Sequence, residues 1–266
     1  MEIGGKAVLL TGATGGLGRA IAEALASRGG RLILSSRKAD ELVALAESLP
    51  GDGHRVAVAD LALEGSAERL VEEAGDVDIL VANAGLPATG RIDGFSLEEI
   101  ERAIRVNLES PIRMAHEVLP EMRRRGLGHI VLVSSLAGKA ASPRSSLYNA
   151  TKFGLRGFGL GLREDQRGSG VGVSVVMPGF IREAGMFADS GAKPPPGVGT
   201  STPEAVAAGV VSAIERDRGE VHVAPRRLIA LANFAARRPE LAGRIARRSG
   251  AAGIADELAS GQTDKR

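Results

Sequence analysis

The chain has 266 residues, 44% hydrophobic, 25% charged and 3% aromatic, with 36 Gly, 12 Pro and no Cys. The apolar fraction can fill a core and excludes bulk disorder, and the missing cysteines exclude a disulfide scaffold, a thiolate metal site and a cysteine nucleophile. A net charge of +2, from 34 Lys plus Arg against 32 Asp plus Glu, gives no reason to expect a nucleic-acid partner. No apolar stretch approaches the roughly 18 residues of a membrane span, and the first apolar run opens at Ala7 with no room for a signal peptide, so a cytoplasmic protein is expected.

Along the chain, short β-branched apolar runs alternate with helical patterns. Ala7 to Thr11 is a first strand, a helix runs from about Gly16 to Arg28, and Arg31 to Ser35 is a second strand. Further strands are expected at Arg55 to Ala59, Val77 to Val81, His129 to Val133, Val171 to Val176 and Glu220 to Val223. Seven such strands with helices between them predict a single-domain, doubly wound α/β fold of Rossmann type, with helices on both faces of a parallel sheet. Ser96 with Glu99 forms a capping box that opens a helix running to about Arg125, stopped by Gly126. Thr202 then Pro203 is an N-cap and first helical residue. Between Gly179 and Thr202 the glycines and Pro194-Pro195-Pro196 predict an irregular loop, long enough to be a functional lid.

Strand one runs into Thr11-Gly12-Ala13-Thr14-Gly15-Gly16-Leu17-Gly18, with a helix at once behind it. A glycine turn between a strand and a helix N-terminus presents free N–H groups and a positive dipole to an anion, and larger side chains would block a pyrophosphate. Strand two, where dinucleotide folds discriminate their cofactors, ends in Ser35, Ser36, Arg37 and Lys38 without a carboxylate. Arg37 can bond a 2′-phosphate with Ser36 as a neutral neighbour, so NADP is preferred over NAD, with NAD still admissible.

Tyr148, the chain's one tyrosine, opens a helical stretch, and Lys152 follows one turn on along the same face. A phenol titrates near ~10, and an adjacent ammonium stabilises the phenolate, so the pair can act as a general acid and base. Taken alone, such a pair also reads as a half-buried anchor and a solvated charge. Ser134-Ser135 follows strand five, Asn83-Ala84-Gly85 ends strand four, and Asn107 lies mid-helix, where Asn is a mediocre helix former.

The ordered set Thr11-Gly12-x-x-x-Gly16-x-Gly18, Asn83-Ala84-Gly85, Asn107, Ser135, Tyr148-x-x-x-Lys152 and Pro178-Gly179 resembles the short-chain dehydrogenases/reductases over residues 6 to about 224. The resemblance implies an oxidoreductase that interconverts a carbonyl and a secondary alcohol, with Tyr148 moving the proton and Ser135 orienting the carbonyl oxygen. It also implies that Lys152 bonds the nicotinamide ribose and lowers the Tyr148 pKa, and that Asn107 holds a water linking Lys152 to solvent. Gly12, Thr14, Gly16, Leu17 and Gly18 would cradle the cofactor's phosphates. Asp60 and Leu61 would meet its adenine, although Asp60 reads equally well as a helix N-cap. Asn83, Gly85, Pro178, Gly179 and Ile181 would line its remaining length. Two departures stand out: Glu183 occupies the place where relatives often carry Thr after the Pro-Gly pair, and Gly15 stands where NADP-preferring relatives carry a second basic residue. A non-catalytic dinucleotide-binding sensor or scaffold is the alternative, but it has no use for Ser135, Tyr148 and Lys152 together.

His54, His116, His129 and His222 show no metal-ligand spacing and read as surface or satisfied core residues, so no metal is expected. The glycines after Tyr148, each costing about 1 kcal/mol against Ala in a helix, suggest close helix approach, with Gly154, Gly157 and Gly161 on one face. In relatives this helix and the one from Ser96 pack against a second subunit, which implies a homodimer or homotetramer. Phe180, Met186, Phe187, Leu136 and Pro143 around the expected cleft favour an apolar small-molecule carbonyl or alcohol substrate. Residues 1–225 are read as the oxidoreductase domain and 226–266 as a basic amphipathic extension with nine basic and four acidic side chains. Its stripe of Leu228, Leu231, Phe234, Leu241 and Ile245, divided at Pro239, reads first as cover for the same domain or a partner subunit and second as an anionic-membrane contact. Residues 250–266 read as frayed.

Overall fold

The structure is a computed structural model and describes residues 1–191, 194, 198–248 and 261. Its centre is a seven-stranded, wholly parallel sheet in the order β3-β2-β1-β4-β5-β6-β7. The strands are β1 (Ala7–Thr11), β2 (Arg31–Ser36), β3 (Arg55–Val58), β4 (Ile79–Ala82), β5 (Gly128–Val133), β6 (Val171–Pro178) and β7 (Glu220–Val223). Because the chain crosses from β3 to the far side of β1 before adding β4, the order reverses between β1 and β4. A cleft therefore opens at their carboxyl ends, where open α/β sheets take their ligands.

Alternation along each strand divides the core in two. Val8, Leu10, Leu32 and Leu34 face α1 (Gly16–Ala26), α2 (Ala39–Ser48) and α8 (Pro203–Glu215), meeting Ile21, Leu25, Leu42, Val206 and Val210. Leu9, Ile33, Leu80 and Ile130 face α3 (Ser66–Ala74), α5 (Ser110–Arg125) and α6 (Ser146–Asp165), meeting Leu70, Met114, Val118 and Leu155.

The helix expected from Ser96 to Arg125 is not one regular helix. The capping box at Ser96 forms, and α4 (Leu97–Ile104) follows it, but Arg105–Glu109 is a π-turn, closed by the Ser110 N–H to the Arg105 carbonyl, before α5 begins. The loop from Gly179 to Thr202 contains a short helix, α7 (Gly185–Asp189), and is tied back by a parallel bridge between Ile181 and Ser201. Pro195 and Pro196 lie outside the described residues, as do 250–266 apart from Gly261. Within the chain the closest approach in α6 falls at Gly159, where a Cβ would stand 2.5 Å from Val175 and 2.9 Å from Leu132 of the sheet. Gly154 meets Leu108, whereas Gly157 and Gly161 have open space before them.

The tail forms α9 (Arg226–Arg237) and α10 (Pro239–Arg248). Leu228 and Ala232 of α9 pack against Leu136, Val175 and Met177, beside the cleft. Among the described residues no helix is long and apolar enough to cross a membrane.

Candidate active site

The first turn of the cleft is the loop between β1 and α1. Gly12 takes φ +66°, and a Cβ on it would stand 2.9 Å from the Ala84 Cα, so this turn needs glycine on both counts. A Cβ on Gly18 would run into the Gly12 carbonyl. Neither could be relieved by a side-chain movement, because both obstacles are backbone. Thr11 Oγ1 accepts the Asn83 and Ala84 N–H groups, and Asn83 Nδ2 donates to the Thr11 and Gly12 carbonyls at 3.0 and 3.3 Å. Asn83 thus holds the glycine loop in shape from the neighbouring strand. No side chain caps α1 at Gly15, which leaves its first-turn N–H groups for an anion.

At the end of β2 the Ser36 Oγ accepts the Lys38 N–H, and Lys38 Nζ is taken by Glu41 at 2.6 Å. Arg37 beside them is exposed and forms no ion pair among the described residues. Asp60 is not a helix N-cap: its Oδ1 accepts the Ala62 N–H in a local turn, and α3 begins later, at Ser66. Leu61 is buried, its carbonyl accepting the Ser110 hydroxyl.

Across the reversal point, Ser135 follows β5 and Tyr148 lies in the first turn of α6. Their side chains are hydrogen-bonded to one another. Ser135 Oγ also accepts the Ala137 N–H at 3.1 Å and donates to the Pro178 carbonyl at 3.5 Å. Burial raises the Tyr148 phenol above its usual value, with the Ser135 hydrogen bond pulling the other way. Lys152, 3% exposed, donates to the Val133 carbonyl at 3.1 Å, and its ammonium is 5.8 Å from the Tyr148 ring centre. Burial lowers its pKa from 10.5 to about 8. The downward pull on the phenol expected from Lys152 is therefore supplied in this structure by Ser135. The lysine stands off from the ring, and burial makes its charged form less favourable.

Asn107 sits in the π-turn, fully buried. Its Oδ1 accepts the Leu86 N–H at 2.7 Å and its Nδ2 donates to the Leu86 carbonyl at 2.9 Å. The amide clamps the chain after β4, so holding a water would fall to the second lone pair of Oδ1 or to the Asn107 backbone. Gly85 brings that chain close, since a Cβ on it would be 3.4 Å from Asn107 Oδ1 and 3.8 Å from Lys152 Nζ.

The floor of the cleft is Pro178-Gly179, where Gly179 donates to the Val223 carbonyl, and Ile181 beyond it is buried. Glu183 turns outward at φ +74° and pairs with Arg182 at 2.7 Å, so its carboxylate is already engaged. Ala184 lies against Gly16, the Met186 methyl is 3.5 Å from the Cβ position of Gly85, and the Phe180 and Phe187 rings stack 4.8 Å apart. The segment after β6 thus reaches over the glycine loop, with Leu17 near Gly185.

Asn149 is a residue the sequence reading passes over. Its Nδ2 donates to the Ala137 and Ala140 carbonyls at 2.6 and 3.2 Å, and its Oδ1 accepts the Ser142 N–H, tying the Ser135 loop to α6. Lys139 anchors the same loop to Glu220 and His222 at 3.2 and 3.0 Å, and Arg156 joins Glu220 at 3.1 Å. The other histidines are engaged elsewhere or solvated. His54 accepts the Leu32 N–H, His129 is buried against Ser174 with its pKa lowered to about 4 by desolvation, and His116 is exposed.

A parallel sheet with a glycine turn at its reversal point, and a half-buried Ser and Tyr beside a buried Lys across from it, defines a dinucleotide-dependent oxidoreductase scaffold. Residues 6–194 match the model of the short chain dehydrogenase family, and the chain belongs to that family of NAD(P)-dependent dehydrogenases and reductases. It is 36% identical over 225 residues to the ketoacyl reductase HetN of Nostoc sp. strain PCC 7120, covering 82% of this chain and 78% of that protein. It is also 36% identical over 184 residues to the 3-oxoacyl-[acyl-carrier-protein] reductase FabG of Escherichia coli K12, covering 68% of this chain and 75% of that one. Among solved structures, a short-chain dehydrogenase from Sphingobium yanoikuyae in complex with NADPH superposes with a TM-score of 0.77 at 28% identity, covering 91% of this chain and 95% of the other.

Proposed function

We propose that this chain is an NADP(H)-dependent oxidoreductase that interconverts a carbonyl and a secondary alcohol, with Tyr148 as general acid and base. The observation that carries the reading is the half-buried pairing of Tyr148 with Ser135, one helical turn from the buried Lys152. Both hydroxyls can bond one carbonyl oxygen, Ser135 fixing its position and Tyr148 delivering a proton in reduction or taking one in oxidation. Lys152, when charged, favours the phenolate and would bond a ribose hydroxyl of the bound cofactor. The bound cofactor supplies or accepts the hydride. Gly12, Thr14, Gly16, Leu17 and Gly18 hold its phosphates against the uncapped end of α1. The preference for NADP rests on Arg37, which no carboxylate among the described residues neutralises, and on the NADPH complex of the similar Sphingobium enzyme. NAD would bind without using Arg37. Leu136, Phe180 and Phe187 favour an apolar substrate. The open face at Gly157 and Gly161, with Phe153 41% exposed nearby, favours pairing of α6 with a second copy in a dimer or tetramer.

The test is Tyr148→Phe. NADPH affinity by fluorescence titration should change by less than about threefold, while turnover of a carbonyl panel falls by roughly 10²–10⁴, as expected for loss of a proton donor. Retained turnover would refute the assignment. Arg37→Ser should raise the KM for NADPH at least about tenfold and leave that for NADH unchanged. Equal effects on both would return Arg37 to the solvated surface.

A further inference from the structure

We propose that α9 and α10 form a docking surface for an anionic lipid membrane. The inner side of α9 is committed to the protein, through Leu228 and Ala232 on Leu136, Val175 and Met177. The outer side is not. Leu231 is 48% exposed, and Leu241 and Ile245 of α10, one turn apart on one helical face, are 46% and 49% exposed. Three half-bare aliphatic side chains on two adjoining helices are thus left uncovered by the described residues.

The charges around these side chains identify what covers them. Residues 226–248 carry seven arginines and a single acid, Glu240. Arg226, Arg227, Arg237, Arg238, Arg244 and Arg247 are all exposed, and none pairs with a carboxylate among the described residues. Elsewhere many arginines pair, Arg28 with Glu215, Arg113 with Glu68 and Arg167 with Glu164, while Arg37, Arg123, Arg216 and Arg218 are exposed without an ion pair among the described residues. Six unneutralised arginines within 226–247 make the two tail helices the densest such run along the chain. Aliphatic side chains that enter the acyl boundary, flanked by guanidinium groups that stay at the headgroup level, are the physical requirements of a helix lying on an anionic bilayer. Self-association through this face would set arginines against arginines, because a twofold contact joins a patch to its own copy. Leu136, packed under the inner side of α9, immediately follows Ser135, so the helix that carries the docking face is seated beside the cleft. The inference stands on the tail alone and does not require the proposed chemistry.

The experiment is sedimentation of the full-length protein with vesicles of phosphatidylcholine alone or of roughly equimolar phosphatidylcholine and phosphatidylglycerol, near physiological salt. Binding is expected to the anionic vesicles and not to the neutral ones. It should weaken at least about tenfold in the doubly substituted Leu241→Glu, Ile245→Glu chain and in Arg237→Glu, Arg238→Glu, and should decline as salt is raised. All four positions are on the surface, so the variants should keep the wild-type Tm. The proposal is overturned if the wild type ignores anionic vesicles, or if the Leu241→Glu, Ile245→Glu chain binds them as well as wild type does. It is also overturned if light scattering shows the wild type in a larger assembly than that variant, which would give the face to a second copy.

Discussion

Replacing Lys152 with Met should make the ligand-free protein more stable at neutral pH and less stable in alkali. Burial lowers the Lys152 pKa from 10.5 to about 8, and a shift of that size corresponds to about 3 kcal/mol of charge-burial cost. The native state disfavours the charged form, so between pH 8 and 10.5 the unfolded chain binds more protons and stability rises with pH. The cost is fully present below pH 8 and gone above 10.5. Methionine fills much the same space without the charge but leaves the Val133 carbonyl, now 3.1 Å from Nζ, without its donor, at a cost of about 1–2 kcal/mol. The variant should therefore be about 1–2 kcal/mol more stable than wild type at pH 7, and about 1–2 kcal/mol less stable near pH 10.5, while losing turnover. Urea unfolding of both proteins across that range measures the difference. A gap that stays constant with pH would refute the reasoning, because it would mean that Lys152 is not desolvated in the native state.

Asn149→Ala strips partners from the Ala137 and Ala140 carbonyls and the Ser142 N–H; thermal unfolding should show a loss of about 2–4 kcal/mol, and kcat should fall more than NADPH affinity as the Ser135 loop loosens. Gly18→Ala forces a Cβ into the Gly12 carbonyl and to 2.8 Å from the Ala13 Cα, so calorimetry should register loss of NADPH binding. The His222 hydrogen bond, then Arg156 and Lys139, hold the Glu220 carboxyl far below its ordinary 4.5. That stability is present above pH 4.5 and is lost as the pH falls below it, so Glu220→Gln should lower Tm at pH 7 by several degrees and the gap should close progressively in acid.

The sheet was legible because parallel strands buried on both faces read as unbroken apolar runs between glycine turns. Its margins were less so. β4 begins at Ile79 rather than Val77 because Asp78 spends its side chain on the Ala7 N–H and on Arg125. β6 runs on to Pro178, whose missing N–H costs nothing at a strand end. Ser135, Tyr148 and Lys152 could be picked out by residue type and spacing, and the structure brings them together. What spacing could not carry was their electrostatic balance, which depends on burial and on Lys152 standing off from the ring. Asn149 left a usable signal, a poor helix former in the first turn of a helix. The π-turn left only Asn107, a mediocre helix former in the middle of a helical pattern.

That extra residue has a consequence for how the chain tolerates length changes. Winding Arg105–Glu109 as ordinary α-helix at its present length would swing everything downstream through about 100° about the helix axis. Either Met114 and Val118 would rotate away from the sheet, or Asn107 would release its two-bond clasp on Leu86. The wide turn keeps both, so a one-residue deletion here, which leaves α5 facing the sheet, should be accepted more readily than one elsewhere in α4 or α5.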